Sequence, residues 1–232
     1  MKKNIKIMVV IPWREQPSRV GLLKLVKDWY KTNLPGIEII YSNRPGEFWN
    51  AAASRNDGVK KAQEAGCDVV IINDADTIPE IESLLEAIKF CQKGNMIHNP
   101  YSHCKVFSKE ETNRYYDGAK LQDIHCMNVF VTSNGGVYVC TPEAWWSVGG
   151  MDEKFLQWGY EDSALEVAHI AIKGVKLVKN PGYIYSLKHQ EQFHDKGYTK
   201  NEENNRQLYL KYLAVANPED MLSLVKQTTI DE

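Results

Sequence analysis

Short apolar runs alternate with segments of helical periodicity through the first hundred residues, and no other feature of the chain constrains its fold as strongly. The apolar runs predict strands at residues 5–11, 37–41 and 69–72, and the periodic segments predict helices at residues 18–32, 50–64 and 80–92. Strands that are separated by crossover helices are typical of a parallel sheet. We therefore predict an α/β fold that is built on a parallel sheet.

The pattern weakens between residues 100 and 134, where polar and aromatic side chains mix without a period, and no element is predicted there. Beyond this stretch the chain predicts strands at residues 137–140, 175–178 and 183–185 and helices at residues 142–148, 161–173 and 203–215. Neither a repeat nor a linker interrupts the chain, which favours a single domain.

Composition argues against several classes of protein. The formal net charge is −2, so nothing in the composition indicates a surface for binding nucleic acid. Five cysteines without a Cys-x-x-Cys pair are more typical of reduced thiols than of a disulfide framework. No run approaches the roughly 20 apolar residues of a transmembrane segment. We therefore expect a soluble, cytoplasmic protein.

Two carboxylates follow the third predicted strand, in the sequence Asn73-Asp74-Ala75-Asp76. In an extended backbone, residues i and i+2 point to the same side, so Asp74 and Asp76 are expected to address one divalent cation or one cation-bound diphosphate. The end of a parallel strand is also where α/β sheets bind ligands. The alternative is an acidic turn that closes the strand, with Pro79 starting the next helix.

A second group of residues lies in the later half of the chain. Gly135 and Gly136 allow the backbone to approach a ligand closely, and Trp158 offers an aromatic plane on which a sugar ring can stack. Glu161 and Asp162 lie in the first turn of a predicted helix, where the helix dipole favours carboxylates. The alternative is ordinary acidity at a helix start together with a tryptophan of the core.

In their order and spacing, these segments resemble the metal-dependent glycosyltransferases of the GT-A fold, and most closely the β-1,4-galactosyltransferase group with its bacterial and phage relatives. The five matches are Ile11-Pro12-Trp13-Arg14; Phe48-Trp49-Asn50-Ala51 with Arg55-Asn56-Asp57-Gly58; Asp74-Ala75-Asp76; Gly135-Gly136-Val137 with Trp158-Gly159-Tyr160-Glu161-Asp162; and Leu187-Lys188-His189 with Asn201-Glu202. The resemblance implies a Rossmann-like nucleotide-binding sheet fused to an acceptor-binding half. It assigns residues 1–100 to nucleotide-sugar binding, residues 101–200 to acceptor binding and catalysis, and residues 201–232 to a C-terminal helical segment.

The resemblance also implies a UDP-sugar donor, with galactose, glucose or an N-acetylated hexosamine as the sugar. The residues that it places at the donor are Pro12, Arg14, Phe48, Arg55, Asn56, Asp74, Ser133, Gly135 and Gly136. Phe48 stands for the residue that packs on the uracil, while Asn50 replaces an arginine that helps to hold the diphosphate. Ser133 stands where the animal enzymes have an aromatic residue that crowds the donor's C2 substituent, so an acetamido group is expected to fit. The alternative is that a neighbour such as Tyr138 or Tyr101 fills this space instead. A structural role, with Arg55 paired locally, is the alternative for Arg14, Arg55 and Asn56.

For the metal, the resemblance implies direct ligation by Asp76 and His189, with Asp74 nearer the donor. Mixed ligation by carboxylate and imidazole favours Mn²⁺, with Mg²⁺ as the alternative. Ser186 stands where the animal enzymes have a methionine sulfur, and His194 is a second candidate for the histidine ligand.

Asp162 is the candidate base, with Glu161 orienting the acceptor and Trp158 stacking on sugar. A single displacement would then invert the configuration at the anomeric carbon. Two other classes stay open, a nucleotidyltransferase on a similar sheet and a sugar-nucleotide-binding protein without activity. The acceptor is also open between a glycan, a protein side chain and a modified nucleobase, and residues 100–134 are expected to contribute to its choice.

Overall fold

The computed structural model describes residues 5–131, 134–189 and 198–226, except for the side chains of residues 198–200. Within these residues the strands are β1 (Ile7–Pro12), β2 (Glu38–Ser42), β3 (Val69–Asn73), β4 (Thr77–Pro79), β5 (His98–Asn99), β6 (His103–Phe107), β7 (Cys126–Val131), β8 (Val137–Cys140), β9 (Val178–Lys179) and β10 (Tyr183–Ser186). The helices are α1 (Val20–Asn33), α2 (Ala51–Glu64), α3 (Ile81–Cys91), α4 (Lys109–Tyr116), α5 (Pro142–Ser147), α6 (Glu161–Lys173), α7 (Tyr198–Ala214) and α8 (Pro218–Lys226), and a short 3₁₀ helix covers Leu121–Asp123.

A six-stranded sheet, in the order β2-β1-β3-β8-β5-β9, forms the centre of the protein. β1 runs parallel to both β2 and β3, as the alternation of strands and helices predicted. β8 runs antiparallel to β3, because the chain reaches it from a second sheet rather than through a crossover helix. The α/β class is therefore confirmed, with a mixed rather than a wholly parallel sheet.

Alternate residues of the central strands face two separate cores. Val9 and Ile11 pack with residues of α1 and α3 on one face, while Met8 and Val10 pack with residues of α2 and α5 on the other. Gly58 of α2 lies so close to β1 that a Cβ atom there would come within 2.1 Å of Val10. Because both faces of these strands are covered, each one is a nearly continuous apolar run in the sequence.

The second sheet, in the order β4-β10-β6-β7, takes two of its strands from the stretch that showed no periodicity. Residues 100–134, to which no element was assigned from sequence, thus contain β6, α4, the 3₁₀ helix and β7. β7 has the sequence CMNVFV, which is apolar at five of its six positions although most of them are exposed, so it lacks the alternation of apolar and polar residues by which a half-buried strand is recognised. Pro79 ends β4 instead of starting a helix, and β4 pairs with β10 in antiparallel orientation.

The C-terminal helices pack against α6. α6 covers the predicted residues, whereas α7 begins at Tyr198 rather than at residue 203, and α8 was not predicted. Phe155, Tyr212 and Met221 belong to a third core that joins these helices. None of the helices in the described ranges has the length and hydropathy of a membrane span.

Candidate active site

A cavity of about 510 Å³ opens where β1 and β3 end. The residues predicted from sequence that line it are Pro12, Arg55, Asp74, Asp76, Gly135, Gly136, Trp158, Glu161, Asp162 and His189. Small-molecule sites typically enclose about 300 to 1,000 Å³. Candidate residues from distant parts of the sequence thus share one cavity of suitable size for a ligand.

Asp76 and His189 are brought together by the pairing of β4 with β10. The backbone N–H of Leu187 donates to the carbonyl of Asp76 at 2.8 Å, and Nε2 of His189 lies 3.2 Å from Oδ2 of Asp76. Burial would raise the pKa of the Asp76 carboxyl, but the pKa is lowered overall, and the positive charge of Arg19 contributes to this lowering. Asp76 is therefore anionic at neutral pH.

Arg19, which the sequence did not single out, points at the same two atoms. Its Nη2 lies 2.7 Å from Nε2 of His189 and 3.5 Å from Oδ2 of Asp76. Because a guanidinium has only donors, His189 accepts this hydrogen bond through the lone pair of Nε2. Two acceptor atoms thus converge on one positive charge. No motif marks Arg19, since its partners lie far away in the sequence.

The convergence of Asp76 and His189 suits a divalent cation. Two neighbouring ligands of an octahedral ion, each about 2.1 Å from it, lie about 3.0 Å apart, and Oδ2 and Nε2 are 3.2 Å apart. In the part of the chain that the structure describes, no three His, Cys, Asp or Glu side chains cluster as a metal site. A cation held by this pair therefore needs further ligands from a substrate or from water.

Asp74 faces a different positive charge from Asp76. Its two carboxylate oxygens accept from Nη2 of Arg55 at 2.9 and 3.2 Å. β3 ends at Asn73 and the chain turns at residues 75–76, so the extended geometry that predicted a joint cation site does not apply. The described partner of Asp74 is Arg55, so the role of Asp74 at a shared metal stays a prediction that this contact does not support.

Arg55 links Asp74 to the start of α6. Its side chain is 3% exposed, and its Nη1 donates to Oδ1 of Asp162 at 2.8 Å. The hydroxyl of Tyr138 donates to the same oxygen at 2.5 Å. These two hydrogen bonds hold Asp162 through Oδ1. The ion pairs of Arg55 therefore connect two distant carboxylates rather than local ones.

Glu161 is buried next to Asp162 in the first turn of α6. It is 9% exposed and accepts a hydrogen bond from the backbone N–H of Gly159 at 2.9 Å. Burial and the charge of Asp162 raise the pKa of Glu161 from 4.5 to about 7. Glu161 therefore exchanges its proton near neutral pH.

Gly135 leaves room for the carboxylate of Asp162. It has a φ of +113°, and a Cβ atom there would lie 2.2 Å from Oδ2 of Asp162. The hydroxyl of Tyr101 donates to the carbonyl of Gly135, and the N–H of Asp74 donates to the carbonyl of Gly136 at 2.8 Å. The positive φ and the lack of space explain why glycine is needed at position 135.

Trp158 lies on a loop that α7 holds in place. The ring is 58% exposed, and nearby Gln157 and Tyr160 adopt positive φ angles of 63° and 73°. Asn205 donates to the carbonyl of Trp158 at 3.3 Å, and Asn201 donates to the side chain of Gln157 at 2.7 Å. The C-terminal helical segment therefore positions an aromatic ring that lines the cavity.

Three residues predicted at the donor do not line the cavity. Arg14 bonds to the loop that follows β2. Phe48 lines a separate cavity of about 390 Å³, and its neighbour Trp49 lines the main cavity instead. Asn56 is buried and donates to the carbonyl of Met151 at 2.8 Å, so it ties α2 to a later segment of the chain. A sequence motif locates such a segment but not the side chain that faces the ligand.

Ser133 and His194 lie outside the described residues. Asn134, which follows Ser133 in the sequence and was not predicted, lines the cavity. Its Nδ2 donates to Glu166 at 2.8 Å, whereas its buried Oδ1 has no hydrogen-bond partner among the described residues. Since a buried acceptor without a partner costs free energy, this atom is a candidate acceptor for a donor group of a ligand.

A family described as the N-terminal domain of galactosyltransferase matches residues 118–190, a stretch that contains Gly135, Asp162 and His189. No curated protein sequence matches the chain. The matched stretch therefore contains the residues that line the cavity from Asn134 to His189, while Arg55 and Asp76 lie outside it.

Two solved structures share the fold at low sequence identity. The catalytic domain of Drosophila β1,4-galactosyltransferase 7 in complex with xylobiose is 18% identical, with a TM-score of 0.55 over 93% of this chain and 84% of that one. GalNAc-T7 with UDP, GalNAc and Mn²⁺ is 12% identical, with a TM-score of 0.51 over 100% of this chain and 56% of that one. The fold is that of a GT-A glycosyltransferase. The family match adds a similarity to galactosyltransferases over residues 118–190.

Proposed function

We propose that the chain is an inverting, metal-dependent glycosyltransferase that moves a sugar from a UDP-sugar to an acceptor hydroxyl. The observation that supports this proposal most is that Asp76 with His189, and Asp162, line the same cavity. Sugar transfer needs positive charge beside the departing diphosphate and a base beside the attacking hydroxyl. The cavity offers side chains for both roles.

Asp162 is the proposed base. Arg55 and Tyr138 hold its Oδ1 at 2.8 and 2.5 Å, which fixes the orientation of the carboxylate. Oδ2, beside Gly135, then accepts the proton of the acceptor hydroxyl as the hydroxyl oxygen attacks the anomeric carbon and the bond to UDP breaks. Attack from the face opposite UDP inverts the configuration, so an α-linked donor yields a β-linked product.

Asp76 and His189 are the proposed protein ligands of the cation. When bound, a divalent cation supplies positive charge that neutralises the diphosphate leaving group. The combination of carboxylate and imidazole favours Mn²⁺ over Mg²⁺, and GalNAc-T7 is solved with UDP and Mn²⁺. Asp74 has a separate role, because it holds Arg55 and through Arg55 the orientation of Asp162.

A glycan is the proposed acceptor, ahead of a protein side chain or a modified nucleobase. The Drosophila relative is solved with xylobiose, and the exposed ring of Trp158 offers a plane on which a sugar can stack. Glu161, next to Asp162, orients the acceptor hydroxyl. UDP-galactose is the donor to test first, since the matching family is described as galactosyltransferase.

Transfer assays with Asp162→Asn and Asp76→Asn test this proposal. UDP release would be measured with UDP-galactose, Mn²⁺ and a panel of glycans that includes xylobiose. We expect Asp162→Asn to lower the rate by about 10²-fold or more with little change in UDP-sugar affinity. Asp76→Asn should instead lose the Mn²⁺-dependent binding of UDP. Asp28→Asn, which removes an exposed carboxylate of α1 paired with Lys24, is the matched control.

The same assay separates the competing functions. Full transfer in excess EDTA would refute the metal assignment, and a product that retains the donor's configuration by NMR would refute a single displacement. Release of pyrophosphate from nucleoside triphosphates would indicate a nucleotidyltransferase. Binding of UDP-sugars without transfer to any acceptor or to water would indicate a binding protein.

A further inference from the structure

We propose that Arg19 and the divalent cation compete for the same two acceptor atoms, so that cation binding displaces Arg19 toward the donor's diphosphate. This inference rests on the metal assignment of the proposed function. It adds a role for Arg19, the N-cap residue of α1, which lies in none of the five segments that resemble the glycosyltransferase family.

The competition follows from the geometry of the Arg19 contacts. Nη2 of Arg19 lies 2.7 Å from Nε2 of His189, a distance typical of a strong, charge-assisted hydrogen bond. Nε2 of a neutral imidazole has a single lone pair, and a metal ion needs the same lone pair. His189 therefore cannot bind Arg19 and a cation through Nε2 at the same time.

Asp76 makes the competition stronger. Its Oδ2 lies 3.5 Å from Nη2 of Arg19 and 3.2 Å from Nε2 of His189, so the guanidinium occupies the point on which both acceptors converge. A divalent cation at that point would repel the guanidinium as well as take its acceptors. Binding of the cation should therefore require the Arg19 side chain to move.

The donor's diphosphate offers new hydrogen-bond acceptors to the displaced guanidinium. Arg19 lines the cavity, and its buried Nε has no hydrogen-bond partner among the described residues. A diphosphate bound with the cation offers several anionic acceptor oxygens, which the planar guanidinium can engage in pairs. Arg19 would thus be a positioning residue for the leaving group once the cation has taken its first site.

Arg19→Gln separates the two halves of this proposal, because they predict changes of opposite sign. Mn²⁺ binding without nucleotide would be measured by the electron paramagnetic resonance signal of free Mn²⁺, and UDP binding at saturating Mn²⁺ by calorimetry. We expect Arg19→Gln to bind Mn²⁺ alone about tenfold more tightly and UDP about tenfold more weakly, each the effect of one charge-assisted hydrogen bond. Arg206→Gln, which removes an exposed arginine of α7, should change neither affinity.

A purely structural role for Arg19 would weaken both affinities, and this result would overturn the proposal. Equal Mn²⁺ affinity in wild type and Arg19→Gln would overturn the competition, while leaving the proposed transfer and its metal intact. If neither protein binds Mn²⁺ at millimolar concentration with UDP present, the metal assignment itself fails and the competition fails with it. Arg19→Lys tests geometry, since a lysine keeps the charge but loses the paired contact with phosphate.

Discussion

Arg55→Met is expected to destabilise the protein by about 3 kcal/mol at neutral pH. The side chain of Arg55 is 3% exposed and pairs with Asp74 and Asp162, whose side chains are 33% and 28% exposed. Removing one partner of a buried ion pair costs about 3 to 5 kcal/mol, because the remaining charge is left without a partner. The lower value applies here, since both carboxylates reach the cavity and solvent screens them in part.

The loss of stability in Arg55→Met should also depend on pH. Burial and the negative charges of Asp76 and Asp162 raise the pKa of Asp74, and Arg55 counteracts them. Without Arg55, the folded variant therefore favours protonation of Asp74 more than its unfolded chain does. The folded variant then binds more protons than the unfolded chain, so its stability falls as pH rises through the carboxylate range and recovers in acid. The penalty is therefore expected to be large at pH 7.5 and small at pH 4.

Urea unfolding of wild type and Arg55→Met at these two pH values measures the effect directly. Arg206→Met is the matched control, since Arg206 is an exposed arginine of α7 that pairs only with nearby Glu203 in the described contacts, and no measurable change is expected. A loss below about 1 kcal/mol at pH 7.5, or an equal loss at both pH values, would refute the role assigned to Arg55.

Three further changes test other parts of the site. Gly135→Ala should lower transfer by about 10²-fold, because its Cβ would lie 2.2 Å from Oδ2 of Asp162 and displace the base. Gly118→Ala, at a φ of +99° with open space around it, is the control for backbone strain and should leave the rate of transfer unchanged. Glu161→Gln should stabilise the protein by up to roughly 3 kcal/mol at pH 8 but hardly at pH 4.5, because a pKa raised from 4.5 to about 7 makes wild type lose stability as pH rises through that interval. Urea unfolding at both pH values measures this, and a difference that does not grow with pH would contradict the raised pKa. Asn134→Leu should raise the KM for the UDP-sugar or the acceptor about tenfold and lower stability by no more than about 1 to 2 kcal/mol, since it removes a buried acceptor without a described protein partner together with the hydrogen bond to Glu166. A loss of stability with unchanged KM would show that Asn134 is structural.

Local signals in the sequence were sufficient for several elements. The central strands are covered on both faces, so their apolar runs were visible without any knowledge of their neighbours. α6 begins at Glu161, as the acidic first turn predicted. β7 had no such signal, because its short, mostly apolar sequence shows no alternation with polar residues, and it is defined by its pairing with β6.

Local sequence signals likewise located some of the site residues but not others. Motifs located the segments around Asp74, Gly135 and Asp162, since each motif combines a turn or a helix start with the residue types that its chemistry needs. They did not distinguish Phe48 from Trp49, because a motif does not specify which of two adjacent side chains faces a cavity.

The sequence by itself determined the α/β class, the parallel strands of the core and the carboxylates of the cavity, because these features depend on residues that are close together in the chain. Only the tertiary structure decided which positive charge each carboxylate faces. Asp76 meets His189 through the pairing of β4 with β10 and Arg19 at the start of α1, and Asp74 meets Arg55 because the chain turns directly after β3. These contacts join separate elements, so their energies depend on distances that local sequence patterns do not encode.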